Sequence, residues 1–354
     1  MRADGTMART GNIVIAGCGS FLPNRRVTND DVEKHSGYDR EVKGVSLHEW
    51  AQRHHGGDTR YWADPKDATS DLALAAAAKA LDDARMEASA LDLIVVSTFT
   101  SDHPLPSTAS KVQAGLRSKA KFLQIDAACS GFIDAMWVAS SLMRQHGYKS
   151  VLLIAGDILS RLSHPRDYLP QTVFGDAAGA VVLTWQDDPS LGLFEFSTGS
   201  DGMLGDYVMI PGGGSRAPLT PARIAAGEQH WRLKFHDIKL WALDRMSHCA
   251  RDVMRKTGLA QSDVAWFVPH QASTAIINEV AGRLEMPADK IVVTYGETGN
   301  TSGASIPVAL DLAKRSGRFS KGGWIVMAAV GAGMAWGALS YRWPADCGLA
   351  DSGG

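Results

Sequence analysis

The sequence predicts an α/β fold built from two pseudo-symmetric βα halves, and three observations carry the prediction. Short, fully apolar runs alternate with helical patterns along the chain, as strands buried on both faces require. The order of these elements then repeats. The repeat has one long offset: "LDLIVV" maps onto "VAWFVP", "KFLQIDAAC" onto "KIVVTYGETGN" and "VLLIAG" onto "WIVMAA", each shifted by about 170 residues, far beyond a solenoid period. With 354 residues, 45% of them hydrophobic, the chain can bury a core of two-domain size.

In chain order the first half reads as strand "NIVIAG", helix "LALAAAAKALDDARM", strands "LDLIVVSTF" and "KFLQID", helix "FIDAMWVASSLMRQHG", and strands "SVLLIAGD" and "GAVVLTW". The second reads as helix "DIKLWALDRMSHCARDVMRKTG", strand "VAWFVPHQ", a helix ending about Leu284, strand "KIVVTYGETGN", helix "ASIPVALDLAKRSG", and strands "WIVMAAVGAG" and "GALSYRW". The expected boundaries are an N-terminal extension over 1–10, halves over 11–190 and 191–345, and a tail over 346–354. Residues 51–67 and 160–172, rich in His, Arg, Pro and Asp, read as surface loops that shape an entrance. Met203 to Gln229, with "PGGGSRAPLTPARIAAGE", reads as the connection between halves.

Composition removes several function classes. The 36 Lys and Arg nearly balance 38 Asp and Glu, so no broad cationic face is expected and neither nucleic acid nor an anionic membrane is a partner. The stretch from Gly322, "GGWIVMAAVGAGMAWGALSYRW", approaches the length of a bilayer span, but Gly331, Gly333 and Gly337 divide it into two β-like runs, a buried hairpin. Cys18, Cys129, Cys249 and Cys347 are widely separated with no CxxC pair, which reads as reduced thiols of a cytoplasmic protein. "MRADGTMART" has no apolar segment behind it, so no export signal is expected. No histidine spacing suggests a metal site.

Four stretches could carry chemistry. Cys129 stands where an apolar strand gives way to a helix that is apolar almost all round; orphan N–H groups and the helix dipole there favour thiolate, and such settings lower a cysteine pKa from ~8.5 to roughly 3.5–7.5. His270, in "WFVPHQAS", follows a proline at a strand end, where open α/β folds place ligands. Asn300, in "YGETGNTSGASIP", lies among glycines and small residues that let the backbone turn and approach something closely. "GAGMAWG", from Gly331, has no basic residue and no helix after it, so it is a poor nucleotide loop; its bare N–H groups could instead form half of an oxyanion hole. Taken singly, each has a plain alternative: a small core thiol, a hydrogen-bonded loop histidine, an Asx-turn and a tight turn.

Together the stretches resemble a family. "DAACSGF" around Cys129, "FGDAAGA" from Phe174, "VPHQAS" around His270, "GNTSGASIP" around Asn300 and "GAGMAWG" from Gly331, in this order, make the chain similar to the thiolase-like condensing enzymes and specifically to β-ketoacyl-acyl-carrier-protein synthase III, from about Ile13 to Trp343. The resemblance implies the thiolase-like α-β-α-β-α sandwich. It implies that Cys129 takes an acyl group from acyl-CoA, that the N–H groups of Cys129 and Gly333 hold the oxyanion, and that His270 and Asn300 donate to a malonyl thioester, on acyl carrier protein or otherwise, during decarboxylative Claisen condensation. No external cofactor is implied, coenzyme A thioesters being substrates. It further implies that Trp50 and Arg161 clasp the adenine of coenzyme A, that Leu105 reaches an acyl pocket across a homodimer, and that each subunit helps to line the other's site.

The sequence departs from the family at the entrance. His54 replaces the arginine that follows the tryptophan, Ser273, Thr274 and Ala275 replace Asn-Leu-Arg, and Gly282 and Arg283 replace a lysine pair, which thins the basic dock for an acidic carrier protein. Phe235 stands where a glycine usually borders the pantetheine arm. A relative of specialised metabolism that hands the acyl group to an alcohol, an amine or a second acyl chain is therefore the alternative reading, with a Cys-His-Asn hydrolase and a non-catalytic partner subunit behind it.

Overall fold

The structure, a computed structural model, describes residues 11–344. The expected terminal extension and tail, and Cys347, lie outside the described residues. The main sheet of the first half and the helices packed on it are β1 (Asn12–Phe21), α1 (Thr69–Asp83), β2 (Leu93–Ser97), α2 (Thr108–Gly115), β3 (Lys121–Ile125), α3 (Gly131–His146), β4 (Ser150–Asp157) and β5 (Ala177–Gln186). The second half repeats the plan with β6 (Gly192–Ser200), α4 (Phe235–Thr257), β7 (Val264–Pro269), α5 (Thr274–Arg283), α6 (Ser305–Arg315), β8 (Trp324–Gly331) and β9 (Ala335–Arg342).

The sheets share one strand order. In the first it is β1-β5-β4-β2-β3, and in the second, read from the equivalent edge, β6-β9-β8-β7. Parallel pairs occupy the same place in each: β2 with β4 and β3, and β7 with β8. Alternation along the strands feeds two faces. Leu93 and Val95 of β2 point to α3 and α6, whereas Ile94 and Val96 point to α1 and α2. The second sheet packs one face on the same central pair, through Ile325 and Met327, and the other on α4 and α5, through Val326 and Ala328. This is the five-layer α-β-α-β-α sandwich that the sequence predicts. Its central helices pack against both sheets, which explains most of the apolar pattern after Cys129; Trp137, on one stripe of α3 with Ser141 and Arg144, stays exposed. A β1 irregularity between Ile15 and Gly17 interrupts the ladder, and the Ile15 N–H donates instead across the core to the Tyr341 hydroxyl at 2.8 Å.

Three expectations need correction. The strand in "KIVVTYGETGN" shrinks to one bridge between Ile291 and Phe267, because the Gln271 carboxamide takes over the backbone that would pair: its Nε2 donates to the Val292 carbonyl at 3.1 Å and its Oε1 accepts from Thr294 and Tyr295 N–H. Residues 51–67 and 160–172 are not simply surface loops. Thr59–Trp62 pairs with Arg25–Thr28, and Arg60, fully buried, donates to Asn29 Oδ1 at 2.6 Å and the Thr172 carbonyl at 2.7 Å; Pro170 to Thr172 are buried in turn. Finally, Met203–Gln229 does not join the halves, since β6 before it already pairs with β9; it is an excursion within the second half, in the place that 22–68 occupies in the first. Both excursions fold over the same end of the sandwich, where the site lies.

Candidate active site

Each central helix starts from a tight turn whose first residue is left-handed without being glycine: Ala128 (φ 45°) opens the turn Ala128–Ser130 before α3, and Ser302 (φ 55°) opens Ser302–Ala304 before α6. Such residues need surrounding packing to hold them. The two turns supply it to each other. A Cβ on Gly303, the counterpart of Cys129, would lie 2.9 Å from the Ala128 carbonyl oxygen, so only one of the two positions carries a side chain. Gly331, ending β8, closes the third side: a Cβ there would stand 2.7 Å from the Ser130 nitrogen and 3.0 Å from that of Cys129.

Around this junction opens a cavity of about 690 Å³, whose wall includes Cys129, His270, Asn300, Gly331 and Gly333. The four chain-distant stretches therefore converge, and Cys129 is half-buried with a route to the cavity. The wall is also strongly apolar. Phe99, Leu159, Phe174, Trp231 and Leu233 form one patch in which Trp231 stacks on Phe174 at 5.1 Å and meets the edge of Phe99 at 5.8 Å. That lining suits a hydrocarbon chain or an aromatic acyl group.

Hydrogen bonds fix how the polar groups present themselves. Asn300 Oδ1 accepts the Ser302 N–H at 2.9 Å, which assigns the carboxamide and leaves its NH₂ as the free donor. His270 sits at the end of β7, its N–H bonded to the Ala328 carbonyl and its Nδ1 2.7 Å from Ser305 Oγ. Burial lowers its pKa to about 4, so the imidazole is neutral at physiological pH. Behind Cys129, Asp157 accepts from Thr98 Oγ1, Phe99 N–H and Thr100 Oγ1 at 2.9–3.1 Å, and burial raises it to about 6. The Ser302 hydroxyl lowers both Asp157 and Cys129, yet makes no hydrogen bond of good geometry.

Burial acts on the Cys129 thiol in the direction opposite to the helix start. Burial pushes Cys129 up to about 12, the Ser302 hydroxyl offsets only part of this, and the Asp157 charge adds to it. Alkylation of the free protein by iodoacetamide should consequently be slow at pH 7 and climb through pH 10 without a plateau; a plateau below pH 8 would contradict this.

Residues 123–202 match the family 3-oxoacyl-[acyl-carrier-protein (ACP)] synthase III, and residues 254–343 match its C-terminal counterpart. A β-ketoacyl-[acyl-carrier-protein] synthase III of Rhodopirellula baltica is 35% identical over 95% of this chain and all of its own, and one of Roseiflexus castenholzii is 37% identical over 94% and 98%. The chain belongs to the synthase III family. It is an acyltransferase of the condensing type. The solved 3-oxoacyl-(acyl carrier protein) synthase III of Pseudomonas aeruginosa superposes with a TM-score of 0.85 at 33% identity, covering 95% of this chain and 99% of that one.

In this synthase III the entrance is rebuilt. Trp50 is on the cavity wall, but His54 stacks on it at 4.2 Å and donates Nδ1–H to the Trp50 carbonyl. Arg161 is exposed and off the wall, its Nη2 donating to the carbonyls of Asp64, Pro65 and Asp67. Leu105 is 85% exposed and does not line the cavity of its own chain. Phe235 does border the cavity. Of the nearby cations, Lys239 and Arg283 both pair with Glu279, which leaves the dock still less positive than its sequence implies. Sequence reasoning missed Gly331's close approach, Asp157, Ser302 and Ser305; the only signal was a charge closing a buried strand, "LLIAGD", and small residues flanking Asn300.

Proposed function

We propose that Cys129 accepts an acyl group from acyl-CoA and that the acyl-enzyme condenses with a malonyl thioester. Sulfur attacks the thioester carbonyl, the N–H groups of Cys129 and Gly333 hold the oxyanion, and coenzyme A leaves as its thiol. His270 Nε2 and the Asn300 NH₂ then donate to the malonyl thioester carbonyl while the carbon–carboxylate bond breaks and CO₂ departs. The enolate carbon attacks acyl-Cys129, a C–C bond forms, the C–S bond breaks, and a 3-oxoacyl thioester leaves. The carbanion comes from decarboxylation, so the chemistry calls for no resident cofactor.

The observation that carries this reading is the convergence of Cys129, His270, Asn300 and the Gly331–Gly333 turn on one apolar cavity in a synthase III chain. Exposure of Leu105 and the outer edge of β3, unpaired among the described residues, support a homodimer in which Leu105 enters the partner subunit's acyl site. The thiols of Cys129 and Cys249, which form no disulfide among the described residues, fit a reducing cytoplasm.

Intact-protein mass spectrometry tests the function. Acyl-CoA should add one acyl mass on Cys129 that persists without an acceptor, and malonyl-CoA or malonyl-ACP should remove it with release of CO₂. Persistence of the adduct without CO₂ release, followed by transfer to an alcohol or amine, would move the protein to the alternative activity. For the entrance, Trp50→Ala should raise KM for acyl-CoA several-fold, as the loss of a stacking surface worth ~0.5–1.5 kcal/mol predicts, with kcat unchanged in steady-state assays. Arg161, tied to the 64–67 loop, would act by holding the mouth's shape.

A further inference from the structure

His270 is 2% exposed, and among the described residues the side-chain partner of its Nδ1 is Ser305 Oγ at 2.7 Å. The same oxygen accepts the Gln271 N–H at 3.3 Å. A backbone N–H can only donate, so this contact occupies a lone pair of the hydroxyl and leaves its single proton to be placed. If Nδ1 carried hydrogen, Ser305 Oγ would accept twice, and its own proton would face no acceptor among the described residues. With the hydroxyl donating to Nδ1, the Nδ1 lone pair, the Ser305 hydroxyl and the Gln271 N–H are all satisfied. A neutral imidazole that accepts at Nδ1 carries its hydrogen at Nε2.

We propose that Ser305 is a positioning residue that locks His270 as the Nε2–H tautomer, and so makes it a hydrogen-bond donor toward the malonyl carbonyl. The inference rests on the condensing reading above and deepens it. The opposite tautomer would aim a lone pair at the carbonyl oxygen as negative charge grows there, which repels where attraction is needed. The lock also removes the Nε2 lone pair that a resting-state base for the Cys129 thiol would require. Asn300 is committed in the same way, because its Oδ1 is held by Ser302 N–H and only its NH₂ remains. Both commitments come from one segment, the turn that starts α6, so the cavity presents two donors and no competing acceptor from these side chains.

The test uses full-length protein carrying ring-¹⁵N histidine, with the His270 signals identified by their loss in His270→Ala. Near pH 7, wild type should show protonated Nε2 and unprotonated Nδ1. Ser305→Ala should mix or reverse the two forms and lower CO₂ release roughly tenfold, a part of the ~10²-fold or more that a positioned donor supplies, while acylation of Cys129 stays within about twofold. Ser305→Thr, which keeps the hydroxyl, should keep the wild-type spectrum. Protonated Nδ1 in wild type, or an alanine variant with unchanged spectrum and unchanged CO₂ release, overturns the assignment. Should wild type neither acylate nor release CO₂, the function proposed above fails, and the wild-type spectrum still decides the tautomer. Should Ser305→Ala fail to acylate, the wild-type and threonine spectra decide.

Discussion

Alanine at position 270 should cut CO₂ release from a malonyl thioester by roughly 10²–10⁴-fold and leave the acylation of Cys129 within about threefold. The asymmetry follows from where charge develops. In the proposed mechanism acylation places its negative charge in front of backbone N–H groups beside Gly331, whereas decarboxylation places it on an oxygen that His270 and Asn300 meet. A neutral imidazole suits that work, and burial holds His270 neutral down to about pH 4. Between pH 5 and 8 the decarboxylation step should therefore show no inflection from His270. Single-turnover assays, one reading acyl-Cys129 by mass and the other labelled CO₂, separate the steps. If acylation fell as far as decarboxylation, His270 would be the base for the thiol and the division of labour proposed here would be wrong. Asn300→Ala should resemble His270→Ala, and the double variant should lose much less than the product of the two, because a carbonyl deprived of one donor has already lost most of the benefit.

The fold was legible in the sequence because strands buried on both faces leave continuous apolar runs, and because two copies of one plan let each half check the other. Where a side chain replaces backbone pairing, the pattern misleads: "KIVVT" is as apolar as "KFLQI", and nothing in it reveals that Gln271, some twenty residues earlier, will occupy its carbonyl and N–H groups. The second strand of an excursion was hidden similarly. Arg60 reads as a surface cation, yet its guanidinium is wrapped by Asn29 and Thr172 from elements far along the chain. That Cys129, His270 and Asn300 line one cavity was legible through motif and order. Their electrostatics were not, since the thiol's pKa depends on how much water reaches it, and here burial acts in the direction opposite to the helix start. Glycines lie between these cases. Gly331 and Gly333 look alike in "GAGMAWG", but Gly333 is required for its φ of 125° with open space around it, and Gly331 for the backbone that lies against it.

That distinction makes Gly331→Ala the sharpest steric probe of the site. The added methyl would fall 2.7 Å from Ser130 N, 3.0 Å from Cys129 N and 3.1 Å from the Ala127 carbonyl oxygen, all of them backbone atoms of one short turn. No rotamer change can relieve such contacts. Either β8 or the Cys129 turn must move by several tenths of an ångström, and an oxyanion hole works only with donors about 2.7–3.1 Å from the developing charge. Misplacing one donor should lower the rate of Cys129 acylation roughly 10²–10³-fold, and overpacking should cost about 1–3 kcal/mol of stability. Gly282→Ala, on α5 with nothing within 4 Å of the new methyl, serves as the control and should be neutral or stabilising by about 0.4–1 kcal/mol. Acylation kinetics by mass spectrometry and a denaturant melt read both effects. Full activity in Gly331→Ala with unchanged stability would mean that β8 does not abut the nucleophile's turn, and the Gly331–Gly333 hairpin would lose its place in the mechanism.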